Sequence, residues 1–162
     1  MEISEEKVLQ CHAYYLQVFD WEIPIRNKVR MFGDLISHAN PVCWRIVGVT
    51  KDAVGVFAEY DFKKASRMGV NRGHLVDRNE TCTHLYTNRF EDPWEWWNYY
   101  YQRDKTILMT SSENISGNHS KTFDIPDDLF LSSGFAWRHR KEEQKFLRGL
   151  HQQIFQQQSI AS

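Results

Sequence analysis

At 162 residues, with 41% hydrophobic and 25% charged side chains, the chain has the length and balance of a globular protein with one sizeable core. Its net charge of −1 excludes a polycation that wraps nucleic acid by bulk attraction, so any such contact must come from a local basic face. Three widely spaced cysteines (Cys11, Cys43 and Cys82) form no CxxC pair, which argues against a zinc knuckle and against a secreted disulfide scaffold and predicts reduced, buried thiols.

Ser4, followed by Glu5 and Glu6, starts a helix with acidic residues in its first turn, and Val8, Cys11, Tyr15 and Phe19 share one face. The segment Asp20–Pro24 breaks that helix. A second is predicted over about 25–39, with Ile25, Val29, Phe32, Ile36 and Ala39 on one stripe, ended by Asn40-Pro41. VCWRIVGV and AVGVFAEY, joined by Thr50-Lys51-Asp52, read as a β-hairpin. Two short helices meeting at Gly69-Val70-Asn71 follow, with Asn71 as the cap of the second. THLYTNRF (83–90) reads as a strand. Asp92-Pro93-Trp94-Glu95 is a strong helix start before the aromatic run WEWWNYYYQ. TILMTSS (106–112) reads as a strand, 112–120 as a loop, 123–135 as irregular, and a long helix is predicted from Arg138.

The stretch YDFKKASRMGVNRGHL resembles the modular helix-turn-helix repeat in the DNA-binding tails of phage- and intron-encoded homing endonucleases, over about residues 53–78. That resemblance implies a phage-encoded DNA-binding protein. Asn71, Arg72, His74 and Arg78 would lie on a recognition helix, with Lys63, Lys64 and Arg67 as phosphate contacts on the helix before it. The charge pattern agrees: eight Lys and Arg against five Asp and Glu lie between Arg45 and Arg89.

Two further constellations carry chemistry. In the aromatic block, Trp94, Trp97, Tyr100 and Tyr101 are expected to form a surface for a host protein or a second copy of the chain, because one helix cannot turn six adjacent rings inward. His74, His84, Asn88, Asn114 and His119 suggest a His-Asn-His nuclease. Arg72-Gly73-His74 resembles the core motif of nonspecific nucleases, in which a general-base His sits near a metal-holding Asn. ILMTSSENI resembles a stretch that follows the catalytic centre in some homing endonucleases. The paired histidines that precede that stretch in the family are missing, and the helix-turn-helix assignment already uses His74.

The sequence thus predicts one α+β domain over 1–162. A helical hairpin (1–40) precedes a short antiparallel sheet carrying the helix-turn-helix and the aromatic helix (41–112). An irregular segment and a C-terminal helix (113–162) complete it. The expected function is non-catalytic binding of duplex DNA, in transcription or in redirecting host DNA machinery. A protein-interaction module or inhibitor is the alternative, and a diverged His-Asn-His nuclease the second alternative. No cofactor, no metal site and no membrane partner are expected, and the expected compartment is the cytoplasm, of the host for a phage-encoded chain.

Overall fold

The computed structural model describes residues 3–39, 45–63, 67–126, 129–130 and 140–156. In chain order its elements are α1 (Glu5–Asp20), α2 (Ile25–Ala39), β1 (Arg45–Thr50), α3 (Lys51–Glu59), β2 (Val70–His74), α4 (Arg78–Thr87), α5 (Pro93–Arg103), β3 (Lys105–Thr110), α6 (Ser111–Ser116), β4 (Thr122–Asp124) and α7 (Lys141–Gln156). The architecture is α+β, with helices at the N-terminal side and a long helix near the C-terminus, as expected. Among the described residues no helix is long and apolar enough to cross a membrane.

Several helices begin where a short oxygen-bearing side chain precedes them and takes up a free N–H of the first turn. Ser4 accepts from Lys7 N–H (3.4 Å), Thr50 from Ala53 N–H (3.2 Å), Asp77 from Asn79 N–H (2.7 Å) and Asp92 from Glu95 N–H (2.7 Å). Pro93 at the first position of α5 has no N–H to leave unsatisfied.

The chain folds as two compact units. Of the described residues, the first unit takes 3–39, Arg45 and His74–Lys105, and so holds α1, α2, α4 and α5. Its core is aromatic: Tyr15, Phe32, Tyr86, Trp96, Trp97 and Tyr100 are all buried. Phe32 of α2 meets Tyr86, Trp96 and Tyr100 edge-on, the geometry that sets a positive ring edge against a negative face. The Tyr15 hydroxyl donates to Leu85 O (2.8 Å), which satisfies its polar tip inside this core.

The second unit holds the sheet, in the order β2-β3-β1-β4, with α3, α6 and α7. The sheet is mixed, where the sequence predicted an antiparallel one. β1 pairs antiparallel with β4, with Gly48 opposite Asp124 and Thr50 opposite Thr122. Leu75 N–H donates to Lys105 O and Ser111 N–H to Gly69 O, so β2 also runs antiparallel to β3. The parallel pair is therefore β1 with β3. Val49, Ala53, Val54, Phe57, Leu108 and Leu147 form the centre of this core.

Four sequence expectations change at the element level; the first is that the loop predicted over 112–120 begins as α6 (Ser111–Ser116). AVGVFAEY is a helix because Thr50 caps it and Ala53, Val54 and Phe57 fall on one helical face. THLYTNRF is the end of α4 and the loop after it. Among the described residues the helix-turn-helix does not form: Val70–His74 is a strand, and Asp61, Phe62 and Arg67 take left-handed φ values of 50°, 56° and 73°, which no helix accommodates. Gly69 does take the predicted left-handed conformation, at φ 70°, but it leads into β2.

Candidate active site

His74 is the last residue of β2, and Asp104 is the residue between α5 and β3. The hydrogen bond from Leu75 to Lys105 (2.9 Å) closes the strand pair here and brings the two side chains together. His74 Nε2 lies 3.6 Å from Asp104 Oδ1, with the side chains 14% and 2% exposed. The pair is thus a largely covered imidazole against a carboxyl group withdrawn from water. Asp104 was not among the residues singled out from the sequence. Its signal was an acidic residue placed between an aromatic helix and an apolar strand.

The groups around this pair narrow its chemistry. Burial pushes the Cys82 thiol up to about 11, with the Arg78 charge and hydrogen bond opposing and Asp104 and Asp77 adding to the rise. Cys82 therefore stays a neutral thiol and is no nucleophile. Arg78, expected on a DNA-facing helix, is instead the first residue of α4, and its guanidinium rests on α2 where Gly33 has no side chain. A Cβ at residue 33 would stand 2.1 Å from Arg78 Nη2.

The remaining predicted DNA contacts belong to the second unit. Lys63 is exposed and pairs with Asp61 (2.7 Å), which also receives Arg148 (3.1 Å). Arg67 is exposed in the loop before β2, and Lys64 lies outside the described residues. Asn71 is exposed on β2, an edge strand, and its Nδ2 donates to Ser111 Oγ (3.1 Å). Arg72 is half-buried on the same strand.

α6 follows β3 directly. Its Glu113 is 5% exposed, and its Asn114 is exposed with Oδ1 against the β2 backbone at Gly73. Both Glu113 oxygens are occupied by protein donors from Thr50, Thr110 and Ser120. Among the described residues no three His, Cys, Asp or Glu side chains converge as a metal cage. Asn114 Oδ1 fills, together with the Met109 thioether, the space that a side chain at residue 73 would need.

The other residues of the nuclease pattern divide. His84 and Asn88 contact each other on α4 (3.3 Å), where His84 also stacks on Tyr99 with centroids 4.6 Å apart. His119 is exposed in the loop after α6. The predicted aromatic interface is corrected too: Trp97 and Tyr100 are 4% and 3% exposed, because α5 packs on both α1 and α4 and receives Phe32 from α2. Tyr101 is half-buried beneath the Arg45 guanidinium, 3.7 Å from its ring centre, which leaves Trp94 as the exposed member. No protein-family model, curated protein or solved structure matches this chain.

Proposed function

We propose that the protein cleaves nucleic-acid phosphodiesters as a diverged His-Asn-His nuclease. The observation that carries this reading is His74 beside the buried Asp104. The family's paired histidines are missing here, and a further objection from the sequence was that a recognition helix already used His74. That objection falls with the helix, since residues 70–74 are a strand.

In this reading Asp104, beside Nε2, orients the His74 imidazole that would act as general base toward the attacking water. A separation of 3.6 Å is longer than a hydrogen bond, as is common before substrate binds. The resemblance to nonspecific nucleases implies a metal-holding Asn near the general base, and a divalent ion, when bound, would stabilise charge on the phosphate. Lys63 and Arg67 supply phosphate contacts that carry no sequence preference.

A second reading, non-catalytic binding of duplex DNA, is favoured by the exposed Lys63, Arg67 and Asn71 on the loop and edge strand. Supercoiled plasmid incubated with the protein and Mg²⁺ or Mn²⁺ separates the two. Nicking is expected, reduced about 10²-fold or more by His74→Ala. Duplex binding that weakens with salt is expected to survive that substitution. Wild-type protein that binds duplex but leaves DNA and RNA uncut supports the second reading and overturns the first, as does nicking undiminished in His74→Ala.

A further inference from the structure

Past α3 the chain turns a corner at Asp61 and Phe62, both in the left-handed region at φ 50° and 56°. Asp61 N–H donates to Ala58 O (3.1 Å) and Phe62 N–H to Phe57 O (2.8 Å), the pair of bonds that closes a helix C-terminus on a left-handed residue. Glycine or asparagine is the usual residue at such a corner, and here it is an acid. Phe62 is buried in the core of the second unit, with the Arg148 guanidinium of α7 over its ring (5.2 Å to the centroid) and the His151 ring edge-on to it (5.7 Å between centroids). That burial offsets a backbone conformation which bulky side chains seldom adopt.

The corner sets Asp61 between two cations. Oδ2 lies 2.7 Å from Lys63 Nζ, and Oδ1 accepts from Arg148 Nη2 (3.1 Å), which also reaches the Asp61 carbonyl oxygen (3.5 Å). All three side chains are exposed, so these pairs add little to stability. The helix does not ask for an acid here either. Asp61 stands just past the C-terminus of α3, where a negative charge opposes the macrodipole. What the carboxylate does is hold Lys63 and Arg148, which come from the loop after α3 and from α7, around one place the size of an anion.

A carboxylate and a phosphate each offer paired oxygens that a guanidinium takes up in the same way. We infer that Lys63 and Arg148 form a binding place for one backbone phosphate of a nucleic acid, and that Asp61 occupies it until the phosphate displaces the carboxylate. Arg148 thereby joins Lys63 as a phosphate contact. Asp61 lowers the affinity for every sequence alike, because backbone contacts read none. This rests on the nucleic-acid substrate proposed above.

The test is fluorescence anisotropy of a labelled mixed-sequence DNA duplex titrated with the full chain, in EDTA, over a series of KCl concentrations. Asparagine tolerates the left-handed corner as aspartate does, so Asp61→Asn removes the charge and keeps the turn; thermal unfolding sets a temperature at which every variant is folded. Asp61→Asn is expected to bind about tenfold tighter at low salt, with a logarithmic salt slope steeper by roughly one. Arg148→Gln is expected to weaken binding about threefold or more and to make the slope shallower. With Lys63→Gln and Arg148→Gln both in place, adding Asp61→Asn is expected to bring no gain. A gain of the same size in that background means that Asp61 acts only through the general field of the protein, and overturns the proposal. Asp61→Asn that binds like wild type overturns it too, and undiminished binding in Arg148→Gln overturns the part of Arg148. Absence of binding by wild type and Asp61→Asn alike removes the nucleic-acid reading itself, an outcome distinct from a duplex that binds and ignores residue 61.

Discussion

Burial acts on Glu113 and Cys82 in the same direction, but only Glu113 has donors enough to resist it. Burial by itself would raise the Glu113 carboxyl, yet the hydrogen bonds from Ser120, Thr110 and Thr50 outweigh it and hold the group at about 2, against an ordinary 4.5. Cys82, with Arg78 alone to oppose burial, goes the other way. A folded-state pKa below the unfolded one means the group stabilises the fold above the unfolded value and loses that contribution as pH falls through the folded value. The window for Glu113 therefore lies between about 4.5 and about 2, and its contribution is on the order of 3 kcal/mol. Glu113→Gln lacks the charge. The stability gap between wild type and this variant, from urea titrations at a series of pH values, is expected to be wide at pH 6 and to narrow steadily below pH 4.5. A gap that does not change with pH would show that the carboxylate makes no charge-dependent contribution.

At the scale of elements, Asp77 separates the strand reading from the helical one. It caps α4, accepting from Asn79 N–H at 2.7 Å with extended backbone. Asp77→Ala is expected to cost about 0.5–2 kcal/mol in denaturant unfolding. Inside a recognition helix the same change would stabilise, because Ala is the better helix former. What the sequence made legible was mostly caps and stripes: Ser4 for α1, the Phe32–Ile36 face for α2, and Asp92-Pro93 for α5. What it hid were the short elements. AVGVFAEY is rich in β-branched and aromatic residues, and nothing local outweighs that bias until Thr50 is known to cap it. VNRGH follows a glycine corner that suits a helical turn as well as a strand, and only pairing with β3 decides between them. His74 was legible as a motif residue. Its partner Asp104 comes from thirty positions further on, across two helices, and no spacing rule joins them.

For the whole molecule, the two units are not two stretches of chain. Their borders fall at Arg45/Ile46, Gly73/His74 and Lys105/Thr106, within β1, β2 and β3 respectively. Each unit is closed by its own core, aromatic in the first and largely aliphatic in the second. Phe32→Ala removes a fully buried ring from the first unit and is expected to cost about 3–5 kcal/mol. Amide exchange at Leu85 and Tyr86, in the same core, should quicken by the free energy that urea titration records as lost. Exchange there that is unchanged would show that the ring adds nothing to the stability of the first unit.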